Sequence, residues 1–333
     1  MLLMFTLPLR RGLLMVALAA AAFALDTGAA QVDGLPVFQH RGVVLDYRNL
    51  RYNPTDDVIV PSVVRVDRLF TSPLGRYYMY YAPHDAPGGI SLAHADRLEG
   101  PWTEFERNPL IERNWPPHHR VSHVSGPHVI WSAEERKLFL YYHGENDVTR
   151  LASSTDGLRF TYEGVAVDTT MFDEVSEASY ARVFRYRLPG KNNRYVMLLM
   201  GNNRGTRRIY LAWSRDGRTW QTRRAPLLDP PPGTGQVAQA WYFPYRGRHY
   251  LMYHAHQAEQ PEIADLHVSE VDAALEHPRH LGVLYPHTSV SPDNVAQMSP
   301  CLVEEDRMFY LFTNIGPRLH QKIALAVASA AQE

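Results

Sequence analysis

Histidine and tyrosine are unusually frequent in this sequence, which contains 16 and 19 of them among 333 residues. An imidazole titrates near neutral pH, so a site lined by these side chains could move protons during a reaction. His123 and His128 lie in one short segment and are candidates for a general base. Arg150 and Arg182 could bind the carboxylate of an anionic ligand. These residue types indicate acid–base chemistry on a polar ligand.

Composition and charge narrow the classes of partner. The sequence carries 34 Lys and Arg against 35 Asp and Glu, so it has no basic excess to attract nucleic acid or an anionic membrane surface. The single cysteine, Cys301, cannot form an internal disulfide or a thiolate metal cluster. With 45% hydrophobic residues, the chain can bury the core of one large domain or two smaller ones.

The first thirty residues predict a secretory signal rather than part of the fold. Arg10 and Arg11 precede an apolar run at 12–25, and small residues follow at 28–30. We expect cleavage near Ala30, which leaves a mature domain at 31–333 that is secreted or periplasmic and not attached to a membrane. The alternative is an uncleaved N-terminal anchor.

One strand pattern occurs five times along the chain. Counted from Tyr78 to Phe139, Val196, Leu251 and Tyr310 in its aromatic-rich second strand, the steps are 61, 57, 55 and 59 residues. Each copy continues into a strand that ends in small residues, and two copies then run into Ser-x-Asp-Gly-x-x-aromatic. Four short antiparallel strands repeated five times predict an all-β, five-bladed β-propeller in a single domain.

The two ends of the chain predict how the ring closes. The last repeat lacks a fourth strand after 323–329, whereas the strand-like run 42–46 stands unassigned before the first repeat. We expect the N-terminal run to complete the last blade and to protect its exposed edge. A two-sheet sandwich of similar length is the alternative, but it does not account for five copies.

Propeller geometry predicts where a ligand would bind. The first and second strands of a blade are antiparallel neighbours, so the start of the first strand and the loop after the second lie on one face beside the central axis. We predict a polar pocket on this face. The side chains predicted to bind the ligand there are His84, Asp85, His123, Glu145, Arg150, Tyr180, Arg182, Gln239 and His254.

The repeated pattern and its motifs resemble the five-bladed glycoside hydrolases. The resemblance spans residues 40–330 and rests on the Tyr-Tyr-rich second strands, on Ala-His-Ala-Asp at 93–96 leading to Gly-Pro-Trp at 100–102, and on the Asp-Gly turns. The sequence is similar to glycoside hydrolase family 43 and to the related invertase and levansucrase group. This resemblance implies cleavage of glycosidic bonds by a base Asp, a second Asp that tunes the acid, and an acid Glu.

The catalytic carboxylates of that family are not matched in this sequence. Val60 stands where the base Asp would be, Tyr180 falls at the tuning Asp, and Gln239 lies near the position of the acid Glu. The chemistry then belongs either to nearby carboxylates or to His and Tyr side chains. The nearest carboxylates are Asp56, Asp57, Glu174 and Glu177.

Two mechanisms follow from these candidates. Hydrolysis needs a protonated carboxyl that assists departure and an ionised carboxylate that activates water or attacks the sugar. We predict Asp57 and Glu177 for these roles because they lie on different blades at the same face. The alternative is a polysaccharide lyase in which His128 or Tyr180 takes the proton next to a uronic acid carboxylate. A propeller that binds glycans without catalysis is the third candidate.

The predicted partner is a carbohydrate, and no cofactor is required. A structural cation in the central channel would be compatible with the sequence, although no spacing of His, Asp or Glu selects a metal. The oligomeric state is left open.

Overall fold

The computed structural model describes residues 32–330, and the predicted signal at 1–30 lies outside them. The described residues are almost entirely strands and loops, with three single-turn 3-10 helices at Tyr47–Asn49, Thr169–Met171 and His287–Ser289. Within 32–330, no helix is long and apolar enough to cross a membrane. The chain begins with β1 (Gln39–Leu45) and then builds five sheets in sequence order.

The first three sheets, or blades, each contain four antiparallel strands. Blade 1 contains β2 (Ile59–Arg65), β3 (Tyr77–Ala82), β4 (Ser91–Ala95) and β5 (Thr103–Glu104). A short hairpin of β6 (Asn114–Trp115) and β7 (His119–Arg120) precedes blade 2. Blade 2 contains β8 (Ser125–Ser132), β9 (Lys137–Gly144), β10 (Val148–Ser154) and β11 (Thr161–Asp168). Blade 3 contains β12 (Ser179–Arg185), β13 (Tyr195–Asn203), β14 (Thr206–Ser214) and β15 (Trp220–Thr222).

The last two blades complete the ring. Blade 4 contains β16 (Thr234–Tyr245), β17 (Arg248–Gln257), β18 (Ala264–Val271) and β19 (Arg279–Tyr285). Blade 5 contains β20 (Gln297–Glu305), β21 (Met308–Ile315) and β22 (Lys322–Ser329), and β1 is its outer strand. β1 runs antiparallel to β22, with Gln39 opposite Val327. The predicted five-bladed propeller and its closing N-terminal strand are therefore confirmed.

The strand registers change one detail of the predicted repeat. In blade 4 the residue equivalent to Phe139 and Tyr310 is Tyr250, which pairs with Phe243, rather than Leu251. The second strands are buried on both faces between neighbouring blades, and all six residues of β3 are buried. A strand that is apolar on both faces carries no alternation, so its pattern does not distinguish adjacent positions.

The Ser-x-Asp-Gly turns fasten neighbouring blades together. In blade 2, the hydroxyl of Ser154 accepts a hydrogen bond from the N–H of Gly157 at 2.8 Å. The carbonyl of Gly157 then accepts from the hydroxyl of Tyr80 in blade 1 at 2.7 Å. A Cβ at Gly157 would lie 2.8 Å from that hydroxyl oxygen, and its φ of +73° also favours glycine. Blade 3 repeats the contact on blade 2 through Ser214, Gly217 and Tyr141.

Each inner strand contains a β-bulge at the same place near the axis. The register of the inner strand shifts there, and one residue per blade adopts a left-handed backbone conformation. We call these residues the bulge ring: Val60 (φ 56°), Gly126 (φ 64°), Tyr180 (φ 52°), Gln239 (φ 53°) and Ser299 (φ 57°). A left-handed non-glycine residue costs about 1 kcal/mol, and such strain is concentrated at functional sites.

Candidate active site

Side chains at the ends of three second strands accept hydrogen bonds from the bulge ring. The pairs are Tyr180 N–H with His143 Nδ1 (3.4 Å), Ser299 N–H with His254 Nδ1 (3.3 Å) and Val60 N–H with Asn314 Oδ1 (3.5 Å). Because Nδ1 of each histidine is the acceptor, its proton lies on Nε2. The Nε2–H of His143 is buried without a partner, so it is available to a ligand.

Gly126 makes room for an imidazole and a phenol beside the axis. A Cβ at this position would lie 2.4 Å from Cε1 of His143 and 3.3 Å from Cδ1 of Tyr180. The ring centres of His143 and Tyr180 are 4.3 Å apart, with an angle of 58° between the ring planes. The absence of a side chain at position 126 therefore allows this histidine–tyrosine pair to form next to the bulge ring.

Arg207 pairs with Glu177, and its charge acts to lower the pKa values of histidines in three other blades. At the start of β14, its guanidinium forms a bidentate ion pair with Glu177, with N···O distances of 3.1 and 3.2 Å. Its charge also acts on His84 of blade 1, His143 of blade 2 and His254 of blade 4. We infer that the guanidinium extends toward the axis, where Glu177 holds it.

A second ion pair joins blades 1 and 5. Asp85 accepts hydrogen bonds from Nδ1 of His84 at 2.6 Å and from Nη2 of Arg318 at 2.9 and 3.1 Å. Burial acts to raise the pKa of Asp85, but the hydrogen bond from His84 and the charge of Arg318 outweigh it and lower the pKa. Burial lowers the pKa of His84, so a neutral imidazole faces an ionised Asp85 at neutral pH.

The hydroxyl of Tyr180 lies near both ion pairs. Arg207 and Arg318 act to lower its pKa, whereas Glu177 and Asp85 act to raise it. Burial is the largest effect and raises the pKa of Tyr180 above its ordinary value. The phenol is therefore protonated near neutral pH and can donate a hydrogen bond to a ligand.

Asp57 is a completely buried carboxyl next to the loop that carries His84. Its Oδ1 accepts from the N–H of Gln321 at 2.6 Å, and the N–H of His84 also donates to this carboxyl. Its Oδ2 has no partner. Burial raises the pKa of Asp57 to about 6 despite these hydrogen bonds. Asp57 therefore ties together the loops of blades 1 and 5 and is readily protonated at mildly acidic pH.

The two predicted catalytic carboxylates lie at the same end of the propeller but differ in access. The Glu177 side chain is 15% exposed and lies beside Tyr180, whereas Asp57 is closed off from solvent. The contact of Asp57 with the N–H of His84 identifies the loop 84–89 as part of what covers it.

The predicted residues His128 and Arg182 lie in the channel below the bulge ring. They are 4% and 2% exposed. Nε2–H of His128 donates to the carbonyl of Val183 at 2.6 Å, and burial lowers the pKa of His128 to about 3. His128 is therefore neutral at physiological pH and is hydrogen-bonded to the inner strand of blade 3.

Three predicted binding residues lie together in blade 2. His123 is 5.9 Å from His143 between ring centres. Glu145 is exposed and accepts from the N–H of Ser122 at 3.2 Å, and Arg150 donates to the carbonyl of Gly144 at 3.2 Å. These side chains belong to the blade 2 part of the face on which we predict ligand binding.

The remaining predicted binding residues, Gln239 and His254, lie on blade 4. Gln239 is 3% exposed, and its Oε1 has no partner. His254 lies 5.4 Å from His256 between ring centres, and burial lowers the pKa of both. Both imidazoles are therefore neutral hydrogen-bonding groups at neutral pH.

Unpartnered buried polar atoms lie around the axis. They include Asp57 Oδ2, His143 Nε2, Ser179 Oγ and Gln239 Oε1. A buried polar atom without a partner costs about 1–3 kcal/mol, so these atoms favour a ligand rich in hydroxyl groups. Among residues 32–330 no group of three or more His, Cys, Asp or Glu is placed to hold a metal ion.

Sequence reasoning predicted His254 but missed His143, Arg207 and Arg318. His143, His254 and Asn314 occupy equivalent positions at the ends of second strands, and that equivalence is the signal that would have identified His143. Arg207 and Arg318 carry no such signal. The neighbouring Arg208 has the same side chain but pairs with Asp229 at 2.6 Å, so only the folded structure separates their roles.

Comparisons with known proteins support the fold. No family model and no curated protein matches the sequence. The α-L-arabinofuranosidase PaAbf62A from Podospora anserina has a TM-score of 0.64 at 10% identity and covers 89% of this chain and 98% of its own. A thermostable family-43 glycoside hydrolase gives 0.50 at 18% identity, covering 61% and 68%. The GH32 β-fructofuranosidase BmSUC1 from Bombyx mori gives 0.57 at 13% identity, covering 88% and 61%. The chain therefore shares the five-bladed β-propeller fold of glycoside hydrolases from families 43, 62 and 32.

Proposed function

We propose that this protein hydrolyses glycosidic bonds of a poly- or oligosaccharide in the pocket at the axis. The observation that carries the proposal is the pair of carboxyl groups at this end of the propeller. Glu177 is in a bidentate ion pair with Arg207, whereas burial raises the pKa of Asp57 to about 6. Carboxyl groups in such different environments are suited to opposite roles in acid–base catalysis.

The roles follow from these environments. Asp57, in its protonated form, donates its proton to the glycosidic oxygen as the bond to the leaving sugar breaks. Glu177, as the carboxylate, accepts a proton from the attacking water. Since Asp57 is buried, this mechanism requires the loop that carries His84 and Asp85 to move when substrate binds.

Neutral hydrogen-bonding groups around the axis supply the binding functions. His143 offers an unpartnered N–H, Gln239 offers an unpartnered carbonyl oxygen, and Tyr180 offers a protonated hydroxyl. Sugar hydroxyls both donate and accept hydrogen bonds, so they match this mixture. The ion pairs Glu177–Arg207 and Asp85–Arg318 extend the polar surface on two sides of Tyr180.

The test is to incubate the purified protein with neutral and uronic-acid-rich polysaccharides and to follow product mass and ultraviolet absorbance together. We expect saturated products that carry one added water per bond cleaved. Glu177→Gln and Asp57→Asn should both form them at least about 100-fold more slowly than the wild type, whereas Asp56→Asn, which changes the exposed neighbour of Asp57, should form them at the wild-type rate. Full activity in both carboxylate variants would remove this pair from catalysis.

A lyase is the second candidate, and the position of Tyr180 favours it. The phenol lies near Arg207 and Arg318, two cations able to neutralise a uronic acid carboxylate, and 4.3 Å from the ring centre of His143. Elimination would leave an unsaturated sugar that absorbs in the ultraviolet. Tyr180→Phe should then abolish product formation, whereas under hydrolysis it should lower the rate only a few-fold. Binding without any product would instead indicate a non-catalytic glycan-binding propeller.

We also propose that the protein acts outside the cytoplasm. The support is the signal-like order of residues 10–30 in the sequence. The N-terminal sequence of the exported protein would test this, and we expect it to begin near residue 31. Retention of residues 1–30 in the exported protein would contradict cleavage.

A further inference from the structure

Five side chains, one from each blade, lie in the central channel next to the bulge ring. We call this set the channel plug: Ser62, His128, Arg182, Trp241 and Cys301, each two residues after the bulge position of its strand. The rings of His128 and Trp241 are 5.7 Å apart although blades 2 and 4 are not neighbours. The guanidinium carbon of Arg182 lies 5.6 Å from the centre of the Trp241 ring. These side chains therefore meet inside the channel.

Three polar members of the channel plug are bonded to the backbone. Ser62 Oγ and Cys301 Sγ accept N–H groups from neighbouring blades at 3.0 and 3.3 Å. Nε2–H of His128 donates to the carbonyl of Val183. These contacts hold neighbouring inner strands together and leave Arg182 as the charged member of the plug.

Arg182 lacks a counter-charge. It is 2% exposed, and its Nη1 donates to the carbonyl of Pro127 at 3.2 Å. Its Nε and Nη2 are buried without partners. Among the described residues no carboxylate pairs with Arg182, and the titratable group that acts on it is the thiol of Cys301. Two donor nitrogens of Arg182 therefore lack hydrogen-bond partners, as does the acceptor Nδ1 of His128, and the positive charge meets the ring of Trp241 but no carboxylate.

Burial of an unpaired cation is costly. The effective penalty is several kcal/mol, and a guanidinium does not release its proton in proteins. Burial lowers the pKa of Arg182 to about 10, which still leaves it charged at neutral pH. Cys301 does not supply the negative charge, because burial raises the pKa of its thiol to about 11. Water can satisfy the N–H groups but cannot neutralise the charge.

We propose that the central channel binds one small inorganic anion of the halide class, held by Nε and Nη2 of Arg182 and enclosed by His128 and Trp241. The near-complete burial of Arg182 restricts the site to an ion rather than a sugar carboxylate. The positive charge favours an anion at this level of the channel over the cation that the sequence allowed. This inference does not depend on the catalytic activity of the pocket.

Crystallography in bromide tests the site directly. Wild-type protein crystallised in sodium bromide should show anomalous difference density at hydrogen-bond distance from Nε and Nη2 of Arg182. The peak should be absent in Arg182→Gln. Density for water alone at this place in the wild type overturns the proposal, and this test does not depend on any variant folding.

Thermal unfolding tests the same site in solution. At constant ionic strength, replacing gluconate by bromide should raise the Tm of the wild type by about 5 °C at ~100-fold excess over Kd. Arg182→Gln should lose this shift. Arg185→Gln, three residues along the same strand, should keep it, because Arg185 is exposed and paired with Glu134. No shift in the wild type, or an equal shift in both variants, contradicts anion binding at Arg182.

Discussion

The two faces of the propeller arrange their charges differently. On the face opposite the pocket, carboxylates bridge neighbouring blades: Glu305 of blade 5 pairs with Arg65 and Arg76 of blade 1 at 2.6 and 2.8 Å. On the pocket face, Asp85 of blade 1 also bridges to Arg318 of blade 5, but Glu177 pairs with Arg207 of its own blade and several buried polar atoms nearby have no partner.

This difference separates stability from binding. Charges that bridge blades have their counter-charges within the protein, and these ion pairs help to keep the blades in register. Unpartnered polar atoms destabilise the empty protein and are tolerated where a ligand completes their hydrogen bonds. We therefore expect changes on the pocket face to alter activity more than stability, and changes on the opposite face to do the reverse.

The strongest test of this comparison changes one glutamate on each face. Glu177→Gln should lower kcat about 10³-fold because it removes the proposed base, while the Tm stays close to that of the wild type. Glu134→Gln, which loses the ion pairs with Arg185 and Arg194 on the opposite face, should leave kcat unchanged. Steady-state kinetics and calorimetry on both variants measure this. Near-normal activity of Glu177→Gln would contradict the expectation that changes on the pocket face alter activity.

Asp57→Asn should lower kcat/KM about 10²-fold and stabilise the protein at neutral pH. The folded-state pKa of about 6 lies above the ordinary value, so folding favours the protonated form and stability falls as pH rises from about 4 to 6. Asparagine lacks this penalty, which corresponds to about 3 kcal/mol at pH 7. Urea unfolding at pH 4 and pH 7 measures the gain.

The same pKa predicts how activity depends on pH. Because the acid must be protonated, kcat/KM of the wild type should fall as pH rises above about 6. Asp56→Asn is the control for both measurements and should behave like the wild type. A loss of stability in Asp57→Asn that is the same at both pH values would contradict a carboxyl with a raised pKa.

Arg207→Gln tests whether the cation beside the axis binds substrate. We expect KM to rise about 30-fold with a smaller change in kcat, because the guanidinium both contacts substrate and positions Glu177. Arg208→Gln is the matched control, since Arg208 pairs with Asp229 instead. A larger effect on uronic-acid substrates than on neutral ones would favour the lyase. Equal KM values for the two variants would exclude Arg207 from binding.

Glu305→Gln should change stability alone. Glu305 accepts hydrogen bonds from Arg65, Arg76 and the hydroxyl of Tyr77, and its side chain is 13% exposed. Loss of this bridge should lower the free energy of unfolding by about 2 kcal/mol with unchanged kcat and KM. Denaturant unfolding and kinetics check the two parts. Loss of activity at equal stability would show that the faces are not separate.

The sequence predicted the ring well and the pocket only in part. Repeated strands and Asp-Gly turns are local signals that can be recognised in the sequence. Ring closure can be predicted from the sequence too, because it follows from counting the strands. The location of Glu177 and Tyr180 near one another was accessible because blade geometry places strand starts on one face.

The rest of the site depends on contacts that residue order does not reveal. The complete burial of Asp57 depends on the loop of blade 1 that covers it, and the role of Arg207 depends on its reach toward other blades. The bulge ring was also not foreseen, because a left-handed conformation at Val60 or Tyr180 runs against the preference of those side chains.

The pairing of β1 with β22 also affects how the protein is made. Gln39 meets Val327 only after the four other blades have been synthesised. Until then the N-terminal strand has no partner. The ring stays open, and the edges of its sheets are exposed. Ring closure is therefore a late, long-range step in folding, because it joins the first strand of the ring to its last.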